Sequence, residues 1–170
     1  MPQTIQTLID EIHLAFNDVK LGHGISWREA SVLDDYGTIE QRQAARALDE
    51  SEDWTAIPFS LISDLKYQDV MPFIDATGLR FYLPACMIYI LKEYKHSNSL
   101  IIHSTIYALT RKSTVLELKA ILNEAQQQVI IHFLECCLIL GDDYLDLHKV
   151  AERLEAYWKS SLDTQSPEIY

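Results

Sequence analysis

Apolar residues recur at spacings of three and four at Ile5, Leu8, Ile12, Ala15 and Val19, with Ile9 and Phe16 widening the stripe until Gly22 stops it. The pattern predicts a first amphipathic helix. From His23 to Gly37 no period holds, and Gly24, Trp27, the pair Asp34-Asp35 and Gly37 predict an irregular loop held down by its aromatic and aliphatic residues. Thr38 followed three residues later by Gln41 has the form of a capping box. With Ile39, Ala44, Ala45 and Leu48 behind it, a second helix is expected, ending in the acidic run Asp49 to Asp53.

Between Trp54 and Gly78 the prolines Pro58 and Pro72 divide short apolar clusters, so only brief helical turns are expected. Gly78 to Leu83 is rich in β-favouring aromatics and leaves room for one short β element. Pro84 then suits the first turn of a helix to about Lys95, buried on most faces because Ala85 to Leu91 is apolar all round. Ser97-Asn98-Ser99 reads as a break, and Leu100 to Leu109 as a buried helix in which β-branched residues are mixed with helix formers. Thr114 with Glu117 forms a further capping-box pattern. Val115, Leu118, Leu122, Ala125, Val129, Phe133, Cys136 and Leu140 then predict one continuous helix up to Gly141. A last helix, capped by Asp142 or Asp143, carries Leu147, Val150, Leu154 and Tyr157-Trp158 and completes an antiparallel hairpin. The expected fold is mainly α: a single-domain helical bundle over residues 1–160 with an irregular N-terminal loop, followed by a polar tail over 161–170.

A chain of 170 residues with 48% hydrophobic side chains can fill one core. No apolar run approaches the roughly 20 residues of a membrane span, and the N-terminus lacks a basic segment followed by an apolar block. Three cysteines, two of them adjacent, form no disulfide framework. A cytoplasmic location is the expectation. The net charge of −11 disfavours nucleic acid and anionic lipid as general partners. The charge is uneven, however: residues 1–79 carry 5 basic and 14 acidic side chains, and residues 80–119 carry 6 and 2. Any anion site belongs in the middle segment.

Gly78-Leu79-Arg80-Phe81-Tyr82-Leu83-Pro84-Ala85, taken with Trp54-Thr55-Ala56-Ile57-Pro58, resembles a family of small bacterial proteins of uncharacterised function. The likeness extends through Gln126 to Gln128, Phe133-Leu134 and Tyr157-Trp158, and so spans residues from about 20 to 160. It implies no activity, since none is assigned to the family.

Four constellations could carry function. His132, Glu135 and Cys136 share a helix face and are all zinc-ligand types, but with neither a His-Glu-x-x-His nor a paired Cys-x-x-Cys motif a core histidine and inert thiols are expected, and no metal. His23, Trp27 and Arg28, with Arg80 and Tyr82, could form a small catalytic or ligand-binding site. The motifs of nucleotide, dinucleotide and α/β-hydrolase sites are missing, and no cofactor is expected. The basic middle, Arg80, Lys92, Lys95, His96, His103, Arg111 and Lys112, is expected to be neutralised by ion pairs within the chain and by helix ends. Asp34, Asp35, Asp49, Glu50, Glu52 and Asp53 beside Trp54 form the strongest candidate, an acidic surface with an exposed aromatic suited to a basic partner protein. A non-enzymatic binding protein is therefore expected, for which an immunity or antitoxin-like inhibitor is one form.

Overall fold

The computed structural model describes residues 4–141 and 145–160. The expected mainly α fold is what forms: helices α1 (Ile5–Ala15), α2 (Trp27–Asp34), α3 (Ile39–Arg46), α4 (Phe59–Ile62), α5 (Ala76–Glu93), α6 (Ile101–Thr110), α7 (Lys112–Ile121), α8 (Glu124–Leu140) and α9 (Leu147–Arg153), with no strand among the described residues. Single 3-10 turns fill Trp54–Ala56, Leu65–Tyr67 and Met71–Phe73, as the two prolines suggested, and a wider π-type turn, Leu154–Lys159, extends α9.

Helix α5 is the centre. Every residue from Phe81 to Leu91 is buried, and α1, α4, α6 and α7 pack around it. The β element expected at Gly78 to Leu83 is instead the first half of this helix, and Pro84 lies inside it, not at its start. Two facts explain the correction. The Asp75 carboxylate accepts the Gly78 N–H at 2.9 Å and starts the helix early. Burial on all sides then outweighs both the β preference of Phe81 and Tyr82 and the missing N–H at Pro84.

The 23–37 segment is likewise not a loop but contains α2. Ser26 precedes the helix, and the Glu29 side chain reaches back to the Ser26 N–H at 3.1 Å. That signal, Ser followed three residues later by Glu, stands in the sequence. Trp27, the supposed pin of a loop, is the first residue of the helix and fully buried against Tyr82, ring centroids 5.2 Å apart. Gly24 and Gly78 pass each other so closely that a Cβ on either would strike the other strand of backbone.

The continuous helix expected from Thr114 to Gly141 is two helices. Thr114 caps nothing, because α7 already begins at Lys112. The chain turns at Leu122 and restarts at Asn123, whose side chain accepts the Gln126 N–H at 2.9 Å while Gln126 accepts the Asn123 N–H at 3.2 Å. Gly141, at φ 68°, ends α8 as expected. Asp142 and Asp143 lie outside the described residues, as does the polar tail; α9 is capped by Asp146, which accepts the Lys149 N–H. The first helix stops at Ala15, short of Val19, and Thr38 with Gln41 caps α3 as its sequence indicated.

Candidate functional site

The acidic candidates separate into two kinds of residue. The Asp49 side chain is 1% exposed and holds Arg28 twice, accepting its backbone N–H at 2.7 Å and its guanidinium at 2.6 Å. Glu50 folds over its own turn and accepts the N–H groups of Ser51, Glu52 and Asp53, which hold its carboxyl below the ordinary carboxylate range. Glu52 pairs with Lys20, and Asp53 caps the turn that begins at Trp54. Trp54 itself is not the exposed aromatic expected: it is buried, stacks on His13, and donates its indole N–H to the Phe16 carbonyl at 2.9 Å. The run 49–54 closes the fold locally.

Asp34 and Asp35 are different. They stand exposed at the end of α2, before Tyr36, whose φ of 57° swings the chain into α3 and leaves its ring 97% exposed. Helix α3 has no buried residue. It lies against α2 through Arg42 and Arg46, which grip Glu29 at 2.9 and 3.2 Å; Arg46 also donates to the carbonyls of Gly22 and Gly24. Burial alone would raise the Glu29 carboxyl, but the Ser26 N–H and the two guanidiniums outweigh it and hold it below its usual range. On this hairpin every arginine is therefore turned inward, while Asp34, Asp35 and Glu40 face solvent without a basic partner among the described residues. Ile39 at the start of α3 and Leu48 just past its end are 67% and 73% exposed, and Ala44 and Ala47 between them are exposed as well.

The alternative site does not assemble as one pocket. Arg28 and Tyr82 line a recess of about 240 Å³ with Asp49, whereas His23, Trp27 and Arg80 do not line it. Tyr82 accepts the Trp27 N–H at 3.0 Å, and burial pushes its phenol far above the ordinary value. Arg80 reaches the Ile121 carbonyl instead. His132 contacts Glu11 and Gln128, each at 3.0 Å, and Glu135 pairs with Lys159, so among the described residues no three His, Cys, Asp or Glu side chains are arranged to hold a metal. Burial pushes the Cys86 thiol up to about 12 and the Cys137 thiol higher still, which makes both poor nucleophiles.

Sequence reasoning missed one hollow altogether. A cleft of about 520 Å³ opens beside α6, floored by Met71, Ile74 and Leu79 and walled by His103, Tyr107 and Arg111; the last three also line an adjoining groove of about 500 Å³ that runs to α9. Cleft and groove together draw their residues from three separate stretches, 69–79, 103–117 and 145–157, of which only His103, Arg111 and Lys112 stood out in the sequence, for their charge.

An all-helical fold with an acidic hairpin on one side and a cleft on another defines a class by shape alone. The chain belongs to a family of unknown function, DUF6714, whose model matches residues 4–162. No curated protein and no solved structure matches it. No helix of the described residues is long and apolar enough to cross a membrane.

Proposed function

We propose that the protein is a binding module that docks a basic partner protein on the outer face of the α2–α3 hairpin. The observation that carries this is the sorting of charge: Arg28, Arg42 and Arg46 are engaged in ion pairs within the fold, while Asp34, Asp35 and Glu40 are exposed on the same α2–α3 segment as the exposed Tyr36, Ile39 and Leu48. An apolar patch with a rim of one charge suits a partner of the opposite charge, since the rim raises the encounter rate and the patch supplies the buried area. Within the acidic set named from the sequence, Asp34 and Asp35 are then contact residues, and Asp49, Glu50 and Trp54 support the surface from behind. A basic toxin or nuclease held by an immunity-type inhibitor is the kind of partner such a surface fits.

The test is capture from a lysate of the source organism by the tagged protein, by its D34K/D35K/E40K variant and by an E52K control, each eluted with a salt gradient. A basic protein retained by the wild type and by E52K, released by moderate salt and lost by the triple variant, supports the assignment. Retention that ignores both salt and the triple reversal overturns it.

A further inference from the structure

All 14 lysine and arginine side chains lie within the described residues. Most are engaged: Lys20, Arg28, Arg42, Arg46 and Lys159 in ion pairs, Arg80, Lys119 and Arg153 on backbone carbonyls, and Lys66, Lys92 and Lys95 over aromatic rings. The ion pairing expected for the basic middle is thus replaced at Lys92 and Lys95 by contacts with Phe59 and Tyr94. Arg111, Lys112 and Lys149 have no side-chain hydrogen bond, ion pair or ring contact with any described residue. These three line the same groove.

Gathering three unpaired cations is unfavourable by mutual repulsion, and a chain of net charge −11 has carboxylates in excess with which to pair them. The groove is also firmly built. Arg153 donates to the Thr110 carbonyl at 3.1 Å and Trp158 to the Leu109 carbonyl at 2.7 Å, which ties the last helix against the end of α6. Three acids line cleft and groove: Asp146 is occupied as the cap of α9, while Asp69 and Glu117 line the cleft together with Arg111 but form no ion pair with it. Tyr107, 55% exposed, stands where cleft and groove meet.

We propose that cleft and groove together bind a small organic phosphate with a flat body. The phosphate is held by Arg111, Lys112 and Lys149. The body lies in the cleft over Met71, Ile74 and Leu79, with Tyr107 against its face. The cleft, with an apolar part at Met71, Ile74 and Leu79 and polar groups around it, has the usual dimensions of a small-ligand site. The site is separate from the α2–α3 hairpin and does not depend on the docking proposed there.

Isothermal calorimetry on the intact protein with ADP, adenosine and pyrophosphate as probes tests it. ADP is expected to bind with saturation and more tightly than either fragment, and R111A/K149A to weaken ADP and pyrophosphate at least about tenfold at unchanged circular dichroism. Y107A should weaken ADP and leave pyrophosphate unaltered, which a purely electrostatic surface would not produce. Absence of saturable heat with both ADP and pyrophosphate, or equal affinity in R111A/K149A, overturns the assignment and leaves the three cations as counter-charges of an acidic chain.

Discussion

Glu29 ties α2 to α3, since one carboxylate receives the Ser26 N–H, Arg42 and Arg46. Glu29→Ala removes the partner of two half-buried guanidiniums and the helix cap together, and should cost about 3 kcal/mol in urea-unfolding stability. Its pH dependence has a definite sign. The carboxyl is held below its ordinary 4.5 in the fold, so its stabilisation is complete above that value and is lost as the pH falls through the depressed folded value. Wild type should therefore lose stability on acidification below about pH 4.5, and Glu29→Gln, less stable at pH 7, should lose less over the same interval; parallel curves for the two proteins would deny Glu29 this role. None of this could be read from the residue type alone. Glu29 is one of 25 acidic residues, and its importance comes from two arginines 13 and 17 positions away.

At the scale of elements, the break between α7 and α8 depends on a four-residue signal, Asn123 to Gln126. Asn123→Ala should cost about 1 kcal/mol, the usual value of an N-cap. Gln126→Ala should cost more, about 2 kcal/mol, because the buried Gln126 amide also donates to the half-buried Ala15 carbonyl at 3.1 Å and its loss leaves that acceptor unpaired. Thermal melts that rank the two variants the other way would contradict this account. The apolar stripe across the break was legible in the sequence, but Leu122 keeps the phase of both helices and is buried in the turn itself, so the pattern alone gave no sign of the interruption. The same lesson holds at α2 and α5. Helices whose residues are buried on most sides through contacts distant in sequence carry a weak period, and a proline or an aromatic pair speaks louder locally than it weighs in the folded core. Gly141, Thr38 with Gln41, and the turns around Pro58 and Pro72 were legible because each is settled by neighbours within four positions.

Across the whole molecule, charge and burial are distributed in opposite senses. The core is laid around α5, the arginines of the N-terminal half are drawn inward, carboxylates are exposed on the hairpin, and the cations unpaired among the described residues line the groove beside α6 and α9. The candidate surfaces were legible only as compositional bias: an acidic first half and a basic middle. Which acids face outward was not, because ion pairs formed at long sequence separation decide it. The want of any buried residue in α3 has a consequence for motion. Its backbone amides are guarded by packing on α2 and two arginines but by no buried side chain of its own, so residues 39–46 should exchange with deuterium through local opening, while those of Phe81 to Leu91 wait for global unfolding. A docked partner would slow that exchange in 39–46 and leave α5 unchanged, giving a label-free signature of where the partner sits; slowing confined to other segments would place it elsewhere.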